Sequence, residues 1–411
     1  MTPAQPPQLS RALVLHGPQD LRLETRKISA PAPEEAQIAI CATGLCGSDL
    51  HYYYQGRNGD FVVRAPLCLG HESTGKITAL GANVTSLQVG DRVALEVGLP
   101  CRNCTFCQQD RYNLCRSMRF RSSAATFPHL DGTLMDITNH PAAMCHRLPS
   151  NVSDLQAALI EPLAVCIHAI NRSQLPTSPL PHASAERTTA LILGAGAIGL
   201  LLSSTLASTQ PSISTIVLAD INPARLKIAS TLPYPHIKTH LLLSPPTTTT
   251  TTTTTPEADN TLSQSLSTSL LETFSLPHGF TRVYDCTGAP ACIRTAIHAS
   301  SPGGAVVLVG MGGPRFPTLP LSVAALREID LIGVLRYDGK CYPEAVRLMA
   351  SGKLDGVTER IVTHVVELGE EGGRKGFRLA GSGVDEEGKP VVKVVVVGRE
   401  EEREAKPGEN S

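Results

Sequence analysis

Between residues 37 and 44 the run QIAICATG alternates apolar and polar side chains, the two-residue period of a strand with one face buried. The runs GKITAL (75–80) and GDRVALEV (90–97) are short, β-branched and closed by glycines, so they predict further strands. A compact β domain is expected over residues 1–165. The texture then changes. TTALILGAGAIGLLLSSTLAS (188–208) reads as an apolar strand, a glycine turn and an apolar helix, and TIVLADINPARLKIAS (215–230) as a second strand and helix. HLLL (240–243), RVYDCTG (282–288), GAVVLVG (304–310) and DLIGVL (330–335) supply further apolar strands with helical stretches between them. Strands alternating with helices predict a parallel sheet covered on both faces over residues 166–334. Residues 335–411 hold YPEAVRLMASGKL, RIVTHVVEL and PVVKVVVVG, long enough to return to the first domain and complete it.

Two segments follow neither period. Nine consecutive threonines stand between prolines and small polar residues, so residues 245–262 are expected to form a disordered surface insertion. The end, REEEREAKPGENS, reads as a solvated charged tail.

Composition narrows the function classes. The net charge of −1 provides no broad basic field for nucleic acid or an anionic membrane. MTPAQPPQLSRALVLHG lacks the basic-then-apolar order of a secretory signal, and 190-ALILGAGAIGLLLSS-204 is broken by three glycines, so no membrane span is expected. The expected compartment is the cytoplasm. Twelve cysteines there read as metal ligands and small buried hydrophobes, not disulfides.

The glycine turn carries the first chemistry. Gly194-Ala195-Gly196-Ala197-Ile198-Gly199 follows the strand ALIL and opens a helix. The first glycine permits the turn, the second lets a pyrophosphate approach the backbone, and the third lets the helix pack on its strand. The phosphates would meet free N–H groups at the positive end of that helix. Asp220 lies 21 residues beyond Gly199 at the tip of the next strand. A carboxylate there accepts hydrogen bonds from ribose hydroxyls and repels a 2′-phosphate, which favours NAD over NADP. Arg225 reads equally as a cofactor contact or a solvated helix residue. Thr287 and Val309 end later strands at the same carboxyl edge, where ligands bind in such sheets.

The second chemistry is metal binding. Cys46, His71 and Glu72 are a thiolate, an imidazole and a carboxylate, a set suited to zinc with a fourth position open, as Lewis acid chemistry requires. Cys101, Cys104, Cys107 and Cys115 are separated by two, two and seven residues. Such a quartet suits a redox centre, a catalytic metal or a structural metal.

The pattern Gly70-His71-Glu72-x2-Gly75-x5-Gly81-x2-Val84 resembles the fingerprint of the zinc-containing medium-chain dehydrogenases, with matching elements from about Arg11 to about Leu368. Within that family, CGSDLHYYYQGRNGDFVV (46–63), QQDRYNLC (108–115), LIEPLAVCIHA (159–169) and VLRY (334–337) are most similar to sorbitol dehydrogenase and the fungal xylitol and L-arabinitol dehydrogenases. The resemblance implies an α/β chain: a Rossmann doubly wound parallel sheet plus a GroES-like β-rich catalytic domain completed by the C-terminal segment. It implies one structural zinc on the quartet, which four thiolates saturate. It implies one catalytic zinc on Cys46, His71 and Glu72, with Glu161 holding the metal-bound water or ligating directly, and NAD as hydride acceptor. Ser48 and His51 match the family's proton relay, a role worth about 10²- to 10⁴-fold in rate. Tyr52, Phe120, Arg336 and Tyr337 fall where polyol dehydrogenases line the substrate cleft, and Ile198 and Leu335 join the cofactor contacts. The implied reaction is oxidation of a polyol to a ketose by a homo-oligomer, tetramer or dimer. An unpaired arginine is costly, so Arg336 speaks for a polyol over a simple alcohol. Another secondary alcohol such as L-threonine, or nucleotide binding without turnover, are the rival readings. MDITNHPAAMCHRLP after DGTL departs from the aromatic-rich strand of relatives, and the C-terminal segment is longer than theirs.

Overall fold

The alternation at 37–44 belongs to a central strand. In the computed structural model, which describes residues 8–175, 188–243, 255–312 and 318–398, the strand Glu35–Gly44 pairs antiparallel along one edge with Glu72–Leu80. Its other edge is shared. Ile137–Pro141 covers the first half and Lys393–Val397, from the far end of the chain, covers the second. These strands belong to a seven-stranded sheet. Val362–Glu367 pairs parallel with Lys393–Val397, and the helix Glu370–Ser382 makes the crossover between them. The C-terminal segment is thus built into the first sheet. The chain divides into two compact units, Met1–Ala164 with Asp338–Ser411, and Val165–Tyr337.

The core of the first unit gathers Leu13, Leu15 and Leu21 from the N-terminal hairpin, Tyr52 and Tyr53 from the helix Gly47–Gln55, and Phe377 and Val394 from the C-terminal segment. Tyr53 stacks on Phe377 with ring centroids 4.5 Å apart.

The second unit is a six-stranded parallel sheet. Its order is Ile237–Leu241, Ile213–Asp220, Thr188–Leu193, Phe280–Asp285, Ser300–Leu308, Asp330–Gly333. Thr188–Leu193 is earliest in the chain yet sits inside the sheet, with later strands on both sides. The connections therefore reverse direction at its carboxyl end, where the glycine turn lies, and open parallel sheets bind ligands at such a point. The helix Ala197–Thr209 that follows is largely buried, and Ser203, Ser204 and Thr205 satisfy their hydroxyls by donating to carbonyls one turn back.

The segment expected to be disordered departs from that reading in part. Residues 255–262 begin the helix Pro256–Thr273. Thr255 caps it by accepting the Ala258 N–H, proline occupies the first turn, and Glu257 and Asp259 favour the positive end. Its Ser263, Ser267 and Leu270 are buried. Polar composition concealed a helix that needs only one narrow contact face. Residues 245–254 of that expectation, and the charged tail from 399 onward, lie outside the described residues.

Candidate active site

Two segments of the first unit deliver the candidate donor set. Cys46 precedes the helix Gly47–Gln55, while His71 and Glu72 lead into the strand Glu72–Leu80. One ligand atom from each of Cys46, His71 and Glu72 lies within 4.8 Å of the others. That span suits a single ion with bonds of about 2 to 2.3 Å. The set is mostly buried: His71 is 5% exposed and Glu72 1%. Asp49, fully buried, lies with Oδ1 3.3 Å from His71 Nδ1, although Nδ1 makes no hydrogen bond of regular geometry. A carboxylate on this side favours the proton on Nδ1 and leaves the other ring nitrogen for a metal. Burial opposes the charge on Asp49, but His71 and the hydrogen bonds from Ser122 and the Cys46 N–H hold its carboxyl below the usual range.

Glu72 has a second partner. Lys393, on the last strand, places Nζ 2.8 and 2.6 Å from its two carboxylate oxygens and donates to the Leu45 carbonyl at 3.1 Å. Burial alone would lower the Lys393 pKa. The negative charge of Glu72, then of Cys46 and Glu161, raises it instead. Glu161 is itself buried in the first turn of the helix Ile160–Arg172. Three acidic groups thus share the field of one ammonium, a concentration of negative charge that a divalent cation would neutralise. Gly44 makes the room: a Cβ there would stand 2.2 Å from Glu72 Oε2.

The cysteine quartet is a separate centre. Cys104 Sγ lies 3.5 Å and Cys101 Sγ 3.9 Å from Cys107 Sγ, and all four sulfurs, Cys115 included, fall within 4.8 Å of one another. Tetrahedral zinc with bonds of about 2.3 Å separates its sulfurs by about 3.8 Å. The fit is close. Backbone N–H groups of Asn103 and Cys104 lower the Cys101 pKa, whereas burial raises that of Cys107. The lobe is tied to the sheet by Tyr112, whose hydroxyl donates to Glu96, and Glu96 Oε2 also meets His146 Nε2 at 2.6 Å. All twelve cysteines are unbridged.

In the second unit the glycine turn has the geometry its spacing predicts. Gly194 adopts φ +101°, and a Cβ at Gly199 would fall 1.8 Å from the Gly194 carbonyl oxygen, so the helix meets the turn only because Gly199 lacks a side chain. At Gly196 a Cβ would meet nothing within 4 Å, leaving space for a phosphate group. The Asp220 carboxylate reaches back to accept the Ala195 N–H at 2.6 Å and the Asn222 N–H at 2.7 Å. Arg225 Nε is buried without a hydrogen-bond partner among the described residues, a donor that a nucleotide oxygen would satisfy. Asp285 organises the neighbouring turn by accepting from Thr287 N and Oγ1 and from Gly288 N, and the Val309 N–H bonds its carbonyl. Ile198 is half-buried at the start of the helix, and Leu335 is exposed beyond the last strand. A dinucleotide fits this edge.

Residues 32–150 match the family model of the alcohol dehydrogenase GroES-like domain, and residues 212–351 that of the zinc-binding dehydrogenase. Sorbitol dehydrogenase of Homo sapiens is 37% identical over 361 residues, covering 88% of this chain and 90% of that one. L-idonate 5-dehydrogenase of Vitis vinifera is 32% identical over 369 residues, covering 90% and 91%. Among solved structures, L-idonate 5-dehydrogenase from Escherichia coli superposes with a TM-score of 0.77 at 25% identity, over 95% of this chain and 99% of that one. The chain belongs to the zinc-containing medium-chain dehydrogenases. Its cofactors are accordingly zinc and NAD.

For a dehydrogenase of this family, the remaining expected residues divide by environment. Ser48 and His51 are both half-buried on the helix Gly47–Gln55, three positions apart and so on one face. Phe120 is buried with its ring edge-on to His71, centroids 5.7 Å apart. Tyr52 lies in the hydrophobic core, 2% exposed, and its hydroxyl accepts the Ala124 N–H at 3.0 Å, so its placement is that of a packing residue. In the second unit Arg336 is half-buried with φ +53° and Tyr337 is buried. Three residues the motif reading passed over surround this donor set: Asp49, Ser122 and Lys393. Asp49 had a signal, standing three positions after Cys46 at the start of a helix. Lys393 had one as well, a lone charge inside the apolar run PVVKVVVV. Ser122 had none.

Proposed function

We propose that this chain oxidises a secondary hydroxyl of a polyol of the sorbitol, xylitol or L-arabinitol type to the ketone, reducing NAD to NADH. The observation that carries the reading is the three-donor centre of Cys46, His71 and Glu72. It leaves a coordination position open, and it sits in a chain 37% identical to a sorbitol dehydrogenase over most of its length. Zinc, when bound, supplies Lewis acidity, and NAD supplies the hydride acceptor.

Cys46, His71 and Glu72 would hold the catalytic zinc, with Glu161 beside the open fourth position. Cys101, Cys104, Cys107 and Cys115 hold the structural zinc. Ser48 takes the proton of the reacting hydroxyl and passes it toward His51, whose partial exposure provides an exit to solvent. Phe120 walls the substrate beside His71. Arg336 and Tyr337 hydrogen-bond further hydroxyls of the chain, which a simple alcohol lacks. In the cofactor site the N–H groups following Gly194 and Gly196 bind the pyrophosphate, Ile198 and Gly199 start the helix beneath it, Asp220 and Arg225 bind the adenosine ribose, and Thr287, Val309 and Leu335 border the nicotinamide. Twelve unbridged cysteines support a reducing, cytoplasmic setting. Exposed Leu321, Leu326 and Leu331 support a homo-oligomer, dimer or tetramer.

The test is NADH formation, read by absorbance, with xylitol, sorbitol, L-arabinitol, ribitol, L-threonine and ethanol. Strong turnover of one or two polyols and little of ethanol is the expected result. Turnover confined to L-threonine or ethanol would overturn the polyol reading and the role given to Arg336.

A further inference from the structure

Beside the candidate metal centre, one buried residue has a backbone conformation its side chain does not favour. Ser122 is 3% exposed and adopts φ +59°, the left-handed region in which glycine is the default. Its Oγ donates to Asp49 Oδ1 at 2.7 Å and accepts the Gly70 N–H at 2.9 Å. Gly70 also directs its N–H toward Asp49 Oδ1, at 3.2 Å. The same carboxylate oxygen is the one 3.3 Å from His71 Nδ1. One oxygen atom therefore joins the Ser122 hydroxyl to the imidazole of a metal ligand.

The segment that carries Ser122 is anchored next to it. Arg121 is buried, and its guanidinium donates to His140 Nδ1 at 3.1 Å, to the Asp131 carbonyl at 3.0 Å and to the Asn139 carbonyl. His140 accepts on Nδ1 because its Nε2 donates to the Glu96 carbonyl at 3.0 Å. Phe120, on the other side of Arg121, packs its ring against His71. Residues 120–122 thus address His71 twice, through an edge-on ring contact and through Asp49.

We propose that Ser122 is a positioning residue for the catalytic zinc: its hydroxyl fixes the Asp49 carboxylate, and Asp49 fixes the tautomer and orientation of His71. The left-handed backbone turns the Ser122 Cβ toward Asp49, and a glycine would relax the backbone but leave that carboxylate oxygen without its hydroxyl donor. The proposal rests on reading Cys46, His71 and Glu72 as the zinc site.

The experiment uses the full-length protein loaded with zinc. Ser122→Gly removes the hydroxyl in a residue suited to φ +59°, so folding is not put at risk, and Ser122→Ala removes it while keeping Cβ. Zinc release to a chromophoric chelator is followed in both, together with the visible spectrum after cobalt is exchanged into the site. Loss of a hydrogen-bonding partner behind a ligand typically costs 10- to 100-fold in metal affinity, so one equivalent is expected to leave about tenfold faster in both variants. The cobalt bands should shift, and the equivalent held by the four cysteines should leave at the parental rate. Parental release and an unchanged cobalt spectrum in Ser122→Gly would overturn the proposal while leaving the zinc site intact. If the parent protein binds only one equivalent, and Cys46→Ser does not reduce it, the zinc reading itself fails and the proposal with it.

Discussion

The two thiolate-containing centres are built on opposite plans. The four cysteines occur within fifteen residues, on a loop and one short helix, and their sulfurs converge with little help from the rest of the chain. The other centre takes Cys46 from one segment and His71 and Glu72 from another, then supports them with Ser122 and Lys393. Lys393 stands 321 positions from the carboxylate it grips. A local quartet closes its coordination sphere and can be strong without being adjustable. A dispersed trio leaves a position open, and the surrounding chain must hold the donors in place against their own charge. Under the proposed function, stability belongs to the first plan and reactivity to the second.

The sharpest way to break that contrast is at the open position. Glu161→Gln keeps shape and removes charge. Turnover should fall steeply, by about 10²-fold or more as for other catalytic side chains, while NAD affinity stays near parental. Equal kcat in the two proteins, by steady-state kinetics, would remove Glu161 from the centre.

Lys393→Met tests whether the far strand supports the dispersed trio. Breaking a buried ion pair leaves a lone buried charge, at a cost of about 3–5 kcal/mol. Zinc can recover part of that cost by drawing Glu72 toward itself. Urea unfolding should therefore show a larger loss in chelator-treated protein than in zinc-loaded protein. Identical losses would mean that Glu72 does not respond to the metal.

Cys104→Ser addresses the local quartet. One equivalent of zinc should be lost and Tm should fall by about 4–8 °C, the shift made by about 2 kcal/mol in a domain of 150–250 residues. Turnover per folded molecule should stay within a few-fold of parental. A collapse of kcat in protein that remains folded would erase the division between clamp and catalyst. The smallest effect is expected away from both centres. Asp220→Ser should move the NAD-to-NADP activity ratio about tenfold toward NADP, equivalent to about 1.4 kcal/mol, with both zinc equivalents retained. An unchanged ratio would assign Asp220 only its bonds to the Ala195 and Asn222 N–H groups.

How far each feature was legible follows from the same contrast. The cysteine spacing and the glycine turn are short-range patterns, since neighbours in the chain are forced to be neighbours in space. The parallel sheet was readable from apolar strands alternating with helices, and its order places the turn at the reversal point. The helix Pro256–Thr273 was misread in its first turns because polar composition outweighed a cap, a proline and a narrow buried face.

By itself the sequence determined the strand and helix periods, the glycine turn, the quartet and the identities of the three dispersed donors. Only the tertiary structure decided which charges surround those donors. The family resemblance marks Tyr52 as a candidate for substrate contact, but packing puts it in the core with its hydroxyl on Ala124. Lys393 stands in the sequence as a lone charge in an apolar run, but only the pairing of that strand with Glu35–Gly44 brings the ammonium to Glu72. A side chain's partners across a sheet depend on register and on long-range closure of the chain. Neither is written in the residues on either side of it, and burial then raises the energetic weight of whichever charge the fold brings near.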